Sequence, residues 1–145
     1  MSAPISAHAI APAAVLRGEG AWAQALPQSA AISNTPLLLG RSSATAAIRA
    51  HLLADLQHAG LSPHPSQLQF DCCEDDLQRL GRDLTAHGDH PCDAVIAAGG
   101  GKVLDAGKLL ASRFNLPCIT VPLSAATCAG SVSYTHLTLP TSYAV

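Results

Sequence analysis

From residue 36 onward, short apolar runs alternate with segments of helical period. This alternation constrains the fold more than any other feature of the chain. Residues 36–39 (Pro-Leu-Leu-Leu), 67–70 (Gln-Leu-Gln-Phe), 93–98 (Asp-Ala-Val-Ile-Ala-Ala) and 117–121 (Pro-Cys-Ile-Thr-Val) predict strands. Between them, residues 44–58 carry Ala47, Ile48, Leu52 and Leu56 near helical spacing, and Gly60 stops the pattern. Residues 74–87 repeat it with Leu77, Leu80 and Leu84, ending near Gly88, and residues 102–114 predict a third helix. Upstream, residues 1–13 read as a tail and residues 14–17 as an edge strand. Gly18-Glu19-Gly20 is a turn, and residues 21–25 start a short helix.

The predicted strands are short and lack a polar face. Strands of that kind belong to a parallel sheet buried on both sides, so the expected class is α/β, Rossmann-like, with helices on both faces. Right-handed crossovers then bring the C-terminal ends of all strands to one edge, where such sheets bind ligands. Three turns should meet there: residues 40–43, 99–102 and 123–128.

Composition permits this and excludes several alternatives. Hydrophobic residues make up 48% of the 145 and charged residues 12%, enough apolar material for a core. Aromatics are only 3%, so Ala, Leu, Val and Ile must fill it. The formal charge is −2 with no basic stripe, which argues against nucleic acid as a partner. No apolar run approaches the roughly 20 residues of a membrane span, and no basic-then-apolar leader opens the chain. The five cysteines are odd in number and form no C-x-x-C pair, which predicts reduced thiols and a cytoplasmic location. Acidic Asp71 and Glu74 flank Cys72-Cys73 and disfavour a reactive thiolate there. His87 and His90 lack the second ligand pair that a zinc site requires.

The chemistry-bearing stretch is Gly99-Gly100-Gly101-Lys102. Glycines tolerate positive φ and let a backbone approach a pyrophosphate without a Cβ in the way. The helix that follows offers free N–H groups and the positive end of its dipole, and Lys102 adds a cation. The alternative is a tight strand–helix turn with no ligand. A Walker A loop is ruled out because Val103 follows Lys102. The dinucleotide fingerprint G-x-G-x-x-G fits poorly, since its third glycine falls on Leu104. Lys102, Asp105 and Lys108 share one side of the helix, while Val103, Ala106, Gly107 and Leu110 share the side facing the sheet. By pattern alone Asp105 is a surface ion-pair partner.

The motif Gly-Gly-Gly-Lys-x-x-Asp-x-x-Lys, followed by Asn115-Leu-Pro-Cys-Ile-Thr-Val-Pro122 and Leu123-Ser-Ala-Ala-Thr-Cys128, resembles the iron-containing alcohol dehydrogenase superfamily. Its glycerol dehydrogenase branch is the most similar. The resemblance covers residues 14–130 and implies the N-terminal nucleotide-binding domain of a two-domain, dehydroquinate synthase-like fold. It implies a homo-oligomeric NAD(P)-dependent enzyme, assisted by divalent zinc or iron, that interconverts small alcohols or hydroxy acids with their carbonyl forms. On that basis Gly99, Gly100, Gly101 and Lys102 would hold the pyrophosphate. Asp105 would sit near the nicotinamide, and Leu123, Ala126 and Thr127 would line the cofactor. The family's metal ligands, one aspartate and two histidines, belong to a C-terminal domain outside this chain. The resemblance therefore implies a fragment without catalytic residues, inactive alone.

Three departures refine this. Leu123 replaces a threonine of the family loop. Cys128 replaces an aspartate that helps glycerol dehydrogenases hold a polyol; this weakens glycerol as substrate and resembles relatives acting on 2-hydroxy or 2-oxo acids. Arg41 and Ser42 stand where NAD-preferring relatives carry an acid, so NADP(H) is favoured, the alternative being a solvated arginine. Residues 131–145 do not continue the family pattern. The run from Val132 to Thr141 resembles translated sequencing adaptor, the alternative being a divergent strand and loop. Two other functions share the glycine turn: a dehydroquinate synthase-like lyase fragment and a non-enzymatic nucleotide-binding module.

Overall fold

The computed structural model describes residues 14–41, 43–69, 74–86, 90–123 and 134–138. Along them run β1 (Ala14–Arg17), α1 (Ala21–Ile32), β2 (Pro36–Gly40), α2 (Ala46–His58), β3 (His64–Gln67), α3 (Glu74–Thr85), β4 (Ala94–Gly99), α4 (Gly101–Arg113), β5 (Cys118–Pro122) and β6 (Tyr134–Thr138). A short 3₁₀ turn, Ser43–Thr45, leads into α2. The strands form one sheet in the order β1-β6-β5-β4-β2-β3. β5, β4, β2 and β3 are mutually parallel, while β6 runs antiparallel to both β5 and β1. The expected parallel sheet is thus present, with one antiparallel strand added near its edge. That strand, β6, lies within residues 131–145, where the resemblance was expected to stop.

Alternation along the central strands sorts the core into two layers. Leu37, Leu39, Val95, Ala97 and Cys118 face α3 and α4, meeting Leu77, Leu80, Leu84, Val103, Ala106 and Leu110. Leu38, Ile96, Ala98, Ile119 and Val121 face α1 and α2, meeting Trp22, Ala25, Leu52 and Leu56. Helices therefore cover both faces, as the all-apolar strands predict. Each fully buried Leu contributes about 1.5–3 kcal/mol by leaving water. α4 lies unusually close to the sheet: a Cβ on Gly107 would collide with that of Ala97. No side chain other than hydrogen fits there, and the contact sets how near the start of α4 comes to the end of β4.

Three elements differ from expectation. β3 is His64–Gln67, not 67–70; Phe70 lies outside the described residues. β3 is the sheet's outermost strand and alternates between half-buried and exposed, so the expectation of strands without a polar face fails there. Its position is fixed by backbone pairing from Leu37↔His64 to Gly40↔Gln67, and Pro65 is tolerated because an edge strand leaves one side unpaired. α1 runs well past residue 25 and contains Pro27. The stripe Trp22, Ala25 and Ser29 stays buried through the proline, and the indole N–H of Trp22 donates to Asp55 of α2 at 3.1 Å. Packing here outweighs the missing amide. In α2, Ala47 is exposed and Arg49 is buried, the reverse of what their polarity predicts.

Candidate nucleotide-binding site

The sheet changes hands between β2 and β4. The chain leaves β2 through α2 on one face and leaves β4 through α4 on the other. Two adjacent parallel strands whose following helices diverge leave a crevice beyond their C-terminal ends. A cleft of about 510 Å³ occupies it, lined by Arg41 and Ser43 after β2 and by Gly100, Gly101, Lys102 and Val103 after β4. Among the described residues its lining holds two cations and no carboxylate.

The glycine turn is simple in its backbone. Gly99 ends β4, and its carbonyl accepts from Leu123 N–H at 2.9 Å, tying the residue after β5 to the turn. Gly100 caps α4 in an extended conformation (φ −83°, ψ −174°) with no side-chain cap, and its carbonyl accepts the first helical bond from Leu104 N–H at 3.0 Å. The leading N–H groups of α4 therefore face the cleft without a side-chain partner from the cap, at the positive end of a 13-residue helix.

Positive φ is not why these glycines are needed. The glycines with positive φ are Gly18, Gly20 and Gly60. A Cβ at Gly99 would press on Val103 at 3.0 Å, so the fold itself explains that glycine. Among the described residues, a Cβ at Gly100 or Gly101 would meet nothing within 4 Å. Fold and backbone geometry alike would accept a side chain at both. What the missing Cβ atoms preserve is open space over the helix amides, a cradle that fits a phosphate group.

The remaining expected site residues divide. Lys102 is exposed and lines the cleft, as does Arg41. Asp105 is exposed on α4, one turn further along and outside the cleft lining. Leu123 is half-buried against the layer of Ile119 and Val121. Ser42, Ala126, Thr127 and Cys128 lie outside the described residues, as do Cys72, Cys73 and His87. Sequence reasoning missed Ser43 and Val103 as lining residues. It also missed Arg49, whose guanidinium packs where a side chain on Gly40 would stand.

A scan of family models matches the iron-containing alcohol dehydrogenase model over residues 12–143. The chain belongs to the iron-containing alcohol dehydrogenase family. It is 35% identical over 127 residues to an uncharacterized oxidoreductase of Synechocystis sp., a match covering 88% of this chain and 32% of that protein. It is 47% identical over 58 residues to hydroxycarboxylate dehydrogenase A of Escherichia coli, covering 40% of this chain and 15% of the enzyme. Its fold is similar to that of glycerol dehydrogenase from Schizosaccharomyces pombe, with TM-score 0.62 at 20% identity over 72% of this chain and 26% of the other. The chain thus spans about a third of the length of the Synechocystis relative.

Members of this iron-containing alcohol dehydrogenase family are oxidoreductases that act on alcohols. Among the described residues, no group of three or more His, Cys, Asp or Glu comes together that could hold a metal ion. Also among them, no helix is long and apolar enough to cross a membrane.

Proposed function

We propose that this chain is the dinucleotide-binding part of an NAD(P)-dependent dehydrogenase that interconverts small 2-hydroxy acids, or alcohols, with their carbonyl forms. The observation that carries the reading is the open space at Gly100 and Gly101 over the uncapped start of α4. A pyrophosphate there would accept from the helix amides and lie beside Lys102. The nicotinamide would supply the hydride acceptor or donor when bound. The role of these residues is to hold and orient it. Leu123, fixed to Gly99 by its amide, would brace the loop that continues along the cofactor toward Ala126, Thr127 and Cys128.

Two finer choices follow. The 47% identity to a hydroxycarboxylate dehydrogenase, together with Cys128 in place of an acid, favours a hydroxy acid over glycerol. Arg41 on the cleft, with no carboxylate in its described lining, favours NADP(H) over NAD(H), because a 2′-phosphate gains from a cation and is repelled by an acid. The proposed turnover, including any metal-assisted step, is that of a protein with the length of its relatives. The chain alone would bind cofactor without turning substrate over.

Fluorescence titration of the chain with NADPH and NADH tests this. Saturable binding of both, tighter for NADPH, is expected. Tighter NADH binding would overturn the NADP(H) preference, and binding of neither would overturn the dinucleotide reading.

A further inference from the structure

The side-chain space of Gly40, the last residue of β2, is filled by the far end of another side chain, that of Arg49. A Cβ built there collides with Cδ and Nε of Arg49 and comes within 2.6 Å of its Cζ. The guanidinium of Arg49 thus fills, from α2, the place where residue 40 would carry its own side chain. Arg49 is only 8% exposed, and its Nη1 donates to the hydroxyl of Thr45. Thr45 closes the 3₁₀ turn whose first residue, Ser43, lines the cleft. The residue after Gly40 is Arg41, also on the cleft. One buried cation therefore touches the strand end and fastens the turn that forms one wall of the site.

In dinucleotide folds an acidic side chain near the glycine turn accepts the adenine-ribose hydroxyls, or an arginine accommodates a 2′-phosphate, and β2 is the direct neighbour of the strand that ends in the glycine turn. We propose that Arg49 is a positioning and specificity-determining residue. By filling the side-chain space of Gly40 it places a cation at the strand end, and through Thr45 it holds the turn that presents Ser43 to a 2′-phosphate. This rests on the dinucleotide reading above and extends it to a residue away from the cleft surface. Burial holds the guanidinium below its ordinary pKa, yet an arginine remains charged at neutral pH.

The test measures NADPH and NADH dissociation constants for the chain and for Arg49→Met, Arg49→Lys and Thr45→Val, with circular dichroism melts alongside. Arg49→Met should weaken NADPH by about three- to tenfold, the size of one hydrogen bond lost from the turn that receives the phosphate, and NADH by less than about twofold. Arg49→Lys should recover part of the loss. Thr45→Val keeps the charge and loses its anchor, so it should lower the NADPH-to-NADH preference even if Arg49→Met fails to fold. A purely structural role would weaken both dinucleotides together, and an unchanged preference in folded Arg49→Met or in Thr45→Val would overturn the inference while leaving the dinucleotide reading intact. Failure of the unaltered chain to bind either dinucleotide would overturn both.

Discussion

The two ends of the parallel strands are built on opposite plans. At the N-terminal end, Asp93 precedes β4 and engages everything around it. Its carboxylate accepts from the Ser33 hydroxyl at 2.5 Å, Asn34 N–H at 2.8 Å and Thr35 N–H at 3.1 Å. Thr35 returns a hydroxyl bond to the Pro91 carbonyl at 2.9 Å, and its own carbonyl accepts from Asp93 N–H at 3.2 Å. At the C-terminal end, α4 starts without a side-chain cap, and two glycines leave the space above it empty. One edge satisfies its polar groups internally. The other starts its helix with no side-chain cap. The difference separates residues that hold the domain together from those proposed to receive its ligand.

The largest effect should come from breaking the satisfied edge. Asp93→Ala would strand the Ser33 hydroxyl and two backbone N–H groups at the start of β2. A loss of about 2–4 kcal/mol is expected in urea unfolding, since several donors lose a charged acceptor at once. NADPH affinity, measured well below the unfolding transition, should stay within about twofold of the unaltered chain, because the cleft is at the other end of the strands. A tenfold loss of affinity would show that the two edges are not independent.

The open edge should respond in the opposite sense. Gly101→Ala places a methyl group in empty space at the first residue of a helix, with no positive φ to strain. Replacing glycine by alanine in such a position should stabilise the fold by about 0.5–1 kcal/mol. It should also weaken NADPH, by about tenfold or more if a phosphate rests on the amides below. Gain of stability with loss of binding is the signature of a glycine kept for a ligand. Loss of stability in this variant would show that the fold, not the ligand, requires Gly101.

How far each edge was legible in the sequence follows from the same contrast. The central strands are legible as unbroken apolar runs because both of their faces are buried, and the sheet-facing stripes of α3 and α4 as apolar periodicity because one side of each helix is buried. Val103, Ala106, Gly107 and Leu110 lie where spacing put them. β3 slipped by three residues because an edge strand takes its register from a partner's backbone, not from hydrophobicity. α1 was read only over residues 21–25 because a local rule cannot see Trp22 packing behind the rest of it. Arg49 was invisible because a charged residue on a helix reads as solvent-facing. Only Gly40, closing a run of leucines, hinted that something large approaches from elsewhere. Asp76, fully buried beside its Arg79 partner at 3.2 Å, was hidden by the same rule. Of the two reasons offered for the glycine turn, positive φ fails, because φ is ordinary there, and open space at Gly100 and Gly101 is the one that remains.

The smallest effect concerns the core between these edges. Cys118 is buried under α4, and burial pushes its thiol up to about 12, with Lys108 pulling weakly the other way. Cys92 is pushed up to about 11, first by burial and then by the charges of Asp93 and Asp83. In the unfolded chain both return to an ordinary value near 8.5. The folded state therefore binds more protons than the unfolded state above that pH. Stability contributed by the neutral thiols is complete below about pH 8.5 and falls as pH rises through 11 and 12. At pH 8 iodoacetamide should leave Cys92 and Cys118 unmodified in the native chain and label both in urea, as peptide mass mapping would register. If Asp93→Ala loosens only its own edge, native labelling of Cys92 should rise while Cys118 stays protected. Equal labelling of the two would mean that the damage spreads across the sheet.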